Sequence, residues 1–249
     1  MSLTAADRVA FGMGGAVYAV KEAAYFMFVL LFYTQVLGLS GTATGFVLFL
    51  AIVWDAMSDP MMGTWSDRLH SRWGRRHPFM MLSVLPLAAG FIALFNPPDM
   101  ALSNMNYLAG WLLFWSLWIR TALTMFSIPH LSLTAEITQD YHQRSTLLGM
   151  RTGLLFLMAL LLPALSLYSL FGEVDGVDGR FIAGNYVTYG WMSAVIVILA
   201  SLWAILGTLK HIGKTSITAD RMPARPGLIG MWQDFLSTFQ NHNFRNVLF

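Results

Sequence analysis

The chain has 249 residues, of which 56% are hydrophobic and only 11% are charged, and it contains no cysteine. A soluble domain carries about 25% charged residues, so this chain has less than half of the charge that a water-facing surface needs. The composition therefore predicts an integral membrane protein. The absence of cysteine excludes a disulfide scaffold, and a net charge of only +2 excludes a nucleic-acid-binding protein.

Six apolar segments follow one another along the chain, and each is long enough to cross a membrane as a helix. A spanning helix needs about 20 residues, and a transmembrane barrel would show alternating segments of about ten residues instead. We therefore predict an all-α integral membrane fold, with a six-helix transmembrane bundle in residues 1–210. Residues 211–249 are expected to form a cytoplasmic segment that approaches a seventh helix. The predicted helices cover residues 9–37, 42–62, 78–96, 105–128, 152–172 and 185–208.

Basic residues are concentrated on one side of this predicted membrane protein. Arg180 is the single basic residue expected outside, and two more lie at membrane depth. Because loops with an excess of Lys and Arg stay in the cytoplasm, both ends of the chain are expected there. Twelve residues carry this bias: Arg8, Arg68, Arg72, Arg75, Arg76, Arg144, Arg151, Lys210, Lys214, Arg221, Arg225 and Arg245.

Five ionisable residues fall within the predicted helices. A charge at the centre of a bilayer costs at least about 2.5 kcal/mol, so five in one small bundle indicate an internal polar cavity. The alternative is that some of them pair only to hold helices together. They are Lys21 and Glu22 on the first helix, Asp55 and Asp59 on the second, and Arg120 on the fourth.

Asp55 and Asp59 are spaced i, i+4, which places both carboxylates on one face of the second helix. Two like charges at this spacing repel each other unless a cation or a proton lies between them. Oxygen ligands suit Na⁺ or H⁺ better than Zn²⁺, which prefers His and Cys. An ion pair with Lys21 or Arg120 is the alternative. Neutral oxygens for such a site could come from Ser58, Thr124 and Ser127.

Arg120 begins a polar line on the fourth helix, followed by Thr124 and Ser127 at i+4 and i+7. Such a line on an otherwise apolar helix is typical of a surface that faces a water-filled pathway. Arg120 either holds a substrate anion through a bidentate contact or neutralises the carboxylate of Asp55 or Glu22. Both roles remain open from the sequence.

The most specific motifs lie between predicted helices. Asp59–Arg68, together with the basic run Ser71–Pro78, resembles the loop signature of the major facilitator superfamily. The Asp-x-x-x-Asp-Pro pattern that starts at Asp55 is similar to the glycoside–pentoside–hexuronide cation symporters, the melibiose permease-like branch. Ile128–Tyr141, with the arginines that follow it, is similar to the loop between helices 4 and 5 of that branch, and Tyr33–Gly38 also fits.

The resemblance implies a transporter rather than an enzyme. A member of this branch would be a sugar or glycoside symporter that works by alternating access between two six-helix bundles, coupled to Na⁺ or H⁺ and without another cofactor. The chain would then be the N-terminal half of such a protein, in a bacterial inner membrane. Its expected partners are the small-molecule substrate, membrane lipid and either the missing C-terminal half or a second copy.

The resemblance also assigns individual residues. Asp55 and Asp59 match the cation-site carboxylates, and Thr124 matches a nearby hydroxyl; Ser58 stands in place of an Asn, and Ser127 in place of a carboxylate. Among the residues of the sugar pocket, the resemblance carries over Arg151 alone. Our own hypothesis is that Lys21, Glu22 and Arg120, which this chain has in place of the missing sugar ligands, form a differently charged substrate site for a carboxylated sugar such as a hexuronide, with Trp54 beside Asp55 facing the same cavity. A cytoplasmic gate of salt bridges is expected from Asp67, Arg68, Arg72, Arg75, Arg76, Glu136, Asp140 and Arg144.

Two other functions remain open at the level of the sequence. One is a truncated membrane scaffold that transports nothing, and the other is a transporter of lysolipids, which distant members of the same branch handle. Ala19 and Leu131 stand where the sugar-transporting members have an Asp and a Trp that contact the sugar. The resemblance therefore predicts a cation-coupled transporter more firmly than it predicts a galactoside as the substrate.

Overall fold

The computed structural model describes residues 3–69, 71–173 and 176–211. Six helices in these residues are long and apolar enough to cross a membrane, which confirms the predicted all-α membrane fold. They are α1 (Ala5–Val36), α2 (Gly41–Arg68), α3 (His77–Leu94), α4 (Met105–Ile137), α5 (Tyr141–Ser169) and α6 (Ala183–Leu209). A short helix, Asp99–Leu102, precedes α4, and a 3₁₀ turn, Gly179–Phe181, precedes α6. Residues 212–249 of the predicted cytoplasmic segment lie outside the described residues.

Two segments expected to be loops are largely helical. Helix α2 continues through Pro60 to Arg68, so the motif after Asp59 lies mostly on the helix. Helix α4 continues to Ile137, and α5 starts at Tyr141, with the side chain of Asp140 accepting a hydrogen bond from the backbone of the first turn. The predicted helices end where polar residues begin, but a helix can extend beyond the hydrocarbon core because its backbone hydrogen bonds are made within it.

Helix α1 lies at the centre of the described bundle, where it packs closely against α5 and α6. A Cβ added to Gly12 would stand 2.7 Å from Leu154 Cδ1, and a Cβ on Gly14 or Gly15 would overlap His130 or the backbone of Arg151. These glycines therefore let neighbouring helices approach closely. A Cβ added to Gly63 on α2 would meet its nearest neighbour, Ile128, only at an ordinary contact distance of 3.9 Å.

Three further contacts join the remaining helices of the described bundle. Helix α2 packs against α4, and α3 packs against both α4 and α6. At the end of the bundle that contains the C-terminal part of α1, aromatic rings pack together: Phe28 is tilted against Tyr189 at 4.4 Å and Phe32 is stacked on Tyr186 at 4.5 Å between ring centroids. The apolar windows of α2 and α5 are only 22% and 11% buried, against 44% to 61% for the other four helices.

Candidate functional site

A small polar cavity lies between α1, α2 and α4. It encloses about 30 Å³, which is room for about one or two water molecules or a monovalent ion. The predicted second and fourth helices do pack together, so their polar residues meet here. The cavity is lined by Tyr18, Lys21, Asp55, Asp59, Arg120, Leu123, Thr124 and Ser127.

The two carboxylates of α2 have different partners on α4. Asp59 accepts a hydrogen bond from the hydroxyl of Thr124, with 2.7 Å between the oxygens. Asp55 forms an ion pair with Arg120, through Oδ2 and Nη1. The sequence left two roles open for Arg120. In the structure Arg120 neutralises a carboxylate, that of Asp55.

The cations of the cavity are both buried, with Lys21 and Arg120 each 7% exposed. Lys21 donates to the adjacent Glu22, with 2.6 Å between Nζ and Oε1, and its ammonium group lies 4.6 Å from the centre of the Tyr18 ring. Arg120 lies over the ring of Tyr25, at 5.4 Å. Cation–π contacts of this length stabilise a charge that has left water, so the aromatic rings of α1 help to hold both cations in the bundle.

Tyr18 and Tyr25 were not among the residues predicted from the sequence. They are spaced i and i+7, with Lys21 between them, so all three share one face of α1. This spacing could have predicted both tyrosines beside Lys21 from the sequence. Tyr25 also lies in a π-helical stretch, Ala24–Val29, directly after Glu22. Such π-helical turns are rare and often occur at functional sites, and this one rotates the helix immediately beside the cavity.

Four predicted residues do not line the cavity. Ser58 is buried, but its hydroxyl turns back to the carbonyl of Asp55 at 3.5 Å. Trp54 donates its indole N–H to Thr121 at 2.8 Å, and Glu22 keeps a side chain that is 42% exposed while pairing with Lys21. Arg151 lies on α5, where its backbone packs against Gly15.

The donor set fits a monovalent cation. Asp59 supplies a carboxylate, Thr124 and Ser127 supply hydroxyl oxygens, and all three line a space of the size of one ion. Hard cations prefer such oxygen ligands. Among the described residues Asp59 forms no ion pair, and the hydroxyl of Thr124 donates a hydrogen bond to its carboxylate. A cation or a proton at this carboxylate would complete its neutralisation.

A second polar group, here called the arginine cluster, consists of Ser66, Asp67, Arg75, Arg76 and Glu136. It joins the end of α2, the start of α3 and the end of α4. Arg76 pairs with Asp67, donates to the Ser66 hydroxyl at 2.6 Å and contacts Glu136 at 3.2 Å. Arg75 reaches the same Glu136 oxygen at 3.1 Å. The arginine cluster thus ties three helix ends together.

The other predicted gate residues have different contacts. Arg72 lies over the ring of the adjacent Trp73 at 4.8 Å, Asp140 caps α5 through the backbone N–H of Gln143 at 2.7 Å, and Arg144 donates to the carbonyl of Thr138 at 3.4 Å. These contacts are local to each loop or helix end. These three contacts therefore do not join one membrane-spanning helix to another, and Arg68, the fourth of these residues, is the last residue of α2.

The end of the bundle that contains the arginine cluster is also held together by contacts with α6, which were not predicted from the sequence. Asp7, in the first turn of α1, pairs with Lys210 at the end of α6 and takes part in a capping box with Thr4. His77, at the start of α3, contacts Thr208 with 3.0 Å between Nε2 and Oγ1. Together with the arginine cluster, these contacts connect the ends of α1, α2, α3, α4 and α6 on this side.

Comparison with known proteins gives a consistent set of relatives. An uncharacterized symporter of Synechocystis sp. is 29% identical over 88% of this chain and 40% of its own length. An isoprimeverose transporter of Lactiplantibacillus pentosus is 27% identical over 71% of this chain and 36% of its own. A sodium-dependent lysophosphatidylcholine symporter of Danio rerio is 29% identical over 58% of this chain and 27% of its own.

The extent of these matches defines what is shared. The chain spans about half the length, or less, of the curated relatives that it matches. The family model described as MFS/sugar transport protein matches residues 10–249, which is almost the whole chain. The chain therefore belongs to the MFS/sugar transport family, within the major facilitator superfamily.

Proposed function

We propose that this chain is part of a cation-coupled symporter of sugars or glycosides. The observation that carries the proposal is the cavity between α1, α2 and α4, in which Asp59 and Thr124 provide a cation site beside two buried basic side chains. Ionisable groups in a membrane bundle are costly. A cavity that collects four of them and is lined by hydroxyls fits a transport pathway better than it fits a scaffold.

The cation is the ligand that we assign first. A carboxylate without a resident counter-ion, together with neutral oxygens in a space of about 30 Å³, suits Na⁺ or H⁺. The relative from Danio rerio is named a sodium-dependent symporter, which favours Na⁺. The family description and the isoprimeverose transporter favour a sugar or glycoside as the second ligand.

The basic residues of the cavity favour a substrate that carries an acidic group. Lys21 and Arg120 line it, whereas Ala19 and Leu131 stand where the sugar ligands of the melibiose permease-like branch would be. A carboxylate on the sugar, as in a hexuronide, could accept a charge-assisted bidentate hydrogen bond from Arg120. We therefore place the substrate beside Arg120, on the side of the cavity that faces α1.

Coupling then follows from a difference in affinity between states. A cation at Asp59 would remove the last uncompensated negative charge of the cavity, and the substrate site would be complete only when that cation is bound. Two six-helix bundles would rock about the site to expose it to each side in turn. The arginine cluster, on the side that the Lys and Arg bias assigns to the cytoplasm, would close that side while its ion pairs are made.

The test is uptake by membrane vesicles that contain the protein expressed from its complete reading frame. Labelled hexuronides, neutral glycosides and lysophosphatidylcholine are supplied in Na⁺ or in choline, with and without a protonophore. We expect Na⁺-stimulated uptake of a glycoside, with hexuronides preferred, and loss of the stimulation in Asp59→Asn. Arg180→Gln, which breaks an exposed ion pair with Asp178 outside the bundle, is the matched control and should transport normally.

Three results would contradict the proposal. Uptake of lysophosphatidylcholine without any glycoside uptake would assign the lipid function that the relative from Danio rerio carries. Glycoside uptake that Na⁺ and a proton gradient both leave unchanged would show a transporter without cation coupling. Absence of uptake of every substrate class would favour the scaffold.

A further inference from the structure

The charges at membrane depth do not cancel. Two positive side chains, Lys21 and Arg120, meet three negative ones, Glu22, Asp55 and Asp59. Lys21 pairs with Glu22 and Arg120 pairs with Asp55. In the described part of the chain, this leaves Asp59 as the one membrane-depth carboxylate outside an ion pair, so the set carries a net charge of −1.

From this arrangement we infer that Arg120 is a built-in counter-ion for Asp55, and that a single monovalent cation binds at Asp59 with Thr124 and Ser127. The inference rests on the proposed cation-coupled function and deepens it, because it assigns a number of cations and a different role to each carboxylate. Arg120 would set the stoichiometry by occupying the carboxylate that could otherwise bind a second cation.

The position of Arg120 supports this role. Its side chain is 7% exposed and lines the cavity, and its Nε has no hydrogen-bond partner among the described residues. The guanidinium of Arg120 is held in place by its ion pair with Asp55 and by the ring of Tyr25 at 5.4 Å. We therefore expect it to stay close to Asp55. A free cation could bind Asp55 only by displacing the guanidinium group of Arg120, which is part of the same chain and cannot diffuse away.

Electrostatics explains why one carboxylate alone would remain available. Asp55 and Asp59 stand one helix turn apart, about 6 Å. At this distance in a partly buried site, a full charge on Asp55 would change cation affinity at Asp59 by about tenfold or more. With Arg120 in place, the Asp55 carboxylate contributes little net charge, and the Asp59 site takes one cation to become neutral.

A binding experiment tests this inference independently of transport. The protein from its complete reading frame is purified, and the number and affinity of bound Na⁺ are measured by equilibrium dialysis with radioactive Na⁺ and by thermal stabilisation in NaCl against choline chloride. The wild type should bind one Na⁺. Arg120→Gln should bind two, or bind Na⁺ about tenfold more tightly, because Asp55 then lacks its counter-ion.

Charge-restoring variants complete the test. Asp55→Asn should weaken Na⁺ binding about tenfold or more, because Arg120 is then free to pair with Asp59. The double variant Asp55→Asn with Arg120→Gln restores the net charge of −1 and should recover one Na⁺ with an affinity near that of the wild type. Arg120→Lys keeps the charge and should also bind one Na⁺, while Arg180→Gln serves as the control for an Arg–Asp pair outside the cavity.

The inference fails if the double variant binds Na⁺ no better than Asp55→Asn, because Asp55 would then be a direct ligand of the cation. It also fails if the wild type binds two Na⁺ or none. A failure of glycoside uptake with the expected binding pattern would overturn the proposed substrate but leave the role of Arg120 intact. Normal uptake with two bound Na⁺ would overturn the role of Arg120 alone.

Discussion

The hydroxyl of Thr124 on α4 donates a hydrogen bond to Asp59 on α2, with 2.7 Å between the two oxygens. This bond crosses the contact between the two helices, which are 65 residues apart along the chain at these positions. It orients one carboxylate oxygen and leaves the hydroxyl lone pairs available to a cation. The proposed cation site and the α2–α4 contact therefore share the same pair of side chains.

Replacement of Thr124 by Val should weaken cation binding. Val keeps the branched shape but removes the hydroxyl, and a hydrogen bond to a charged group contributes about 1.5–3 kcal/mol, so we expect Na⁺ affinity to fall by about tenfold or more. Isothermal titration with NaCl measures this affinity. Thr124→Ser keeps the oxygen and should stay within about threefold of the wild type, and equal losses in Val and Ser variants would contradict a ligand role for the hydroxyl.

Arg76 connects three helix ends, and its loss should open that end of the bundle. Its guanidinium serves Asp67, Ser66 and Glu136 at once, and its side chain is only 10% exposed. Arg76→Gln leaves two partly buried carboxylates without this partner, which should lower the free energy of unfolding by about 2 kcal/mol. Thermal unfolding in detergent measures the loss.

A matched variant distinguishes this effect from a general loss of positive charge. Arg72 lies over the adjacent ring of Trp73 and forms no ion pair with another described residue, so Arg72→Gln should change stability by less than about 0.5 kcal/mol. Arg76→Lys should recover little, because an ammonium group cannot reproduce the geometry of a planar guanidinium that reaches several acceptors. Equal stability of the Arg72→Gln and Arg76→Gln variants would contradict a stabilising role for the arginine cluster.

The spacing of polar residues in the sequence was sufficient to identify most of the cavity. Asp55 and Asp59 recur at one helix turn, as do Arg120 and Thr124, and such repeats can be read without knowing how helices pack. The pairing of these residues could not be read. Whether Arg120 meets Asp55 or Glu22 depends on the rotation of α1 and α4 about their axes, and the π-helical turn of Ala24–Val29 changes that rotation locally.

Helix ends were the least predictable part of the fold. Hydropathy marks where the chain leaves the hydrocarbon core, whereas a helix ends where a cap or a change of backbone direction ends it. Asp140 supplies such a cap only at the start of α5, so the polar residues before it remain helical up to Ile137. The gate residues were accordingly predicted on loops although Asp67 and Glu136 lie on helices.

Gly15 is a position where a single methyl group should destabilise the bundle. A Cβ there would stand 3.0 Å from the carbonyl carbon of Arg151 and closer still to its oxygen. Since the obstacle is backbone, α1 and α5 would have to move apart, and overpacking of this kind costs about 1–3 kcal/mol. Gly15→Ala should therefore lower the melting temperature measured in detergent.

Gly110 on α4 provides the control for helix propensity. No atom lies within 4 Å of a Cβ built at Gly110 in the described structure, so Gly110→Ala should be neutral or stabilise the protein by up to about 1 kcal/mol. The comparison removes the intrinsic gain of Ala over Gly in a helix. If Gly15→Ala were as stable as Gly110→Ala, the close approach of α1 to α5 would be wrong.

His130 is fully buried in an apolar position and should be replaceable by Phe with a gain in stability. Its ring is stacked between Phe11 at 4.4 Å and Phe126 at 5.6 Å, and neither ring nitrogen makes a well-formed hydrogen bond to any described residue. An unpaired buried polar group costs about 1–3 kcal/mol. His130→Phe keeps an aromatic ring in the stack and removes both nitrogens, so the melting temperature should rise.

Two comparisons decide whether the imidazole has only a packing role. His130→Ala removes the ring from between two aromatic neighbours and should lower the free energy of unfolding by about 3 kcal/mol through the cavity it leaves. Cation-stimulated uptake by the Phe variant should match that of the wild type, because His130 does not line the cavity that contains Asp59. A Phe variant that is stable but does not transport would contradict a role for His130 in packing alone.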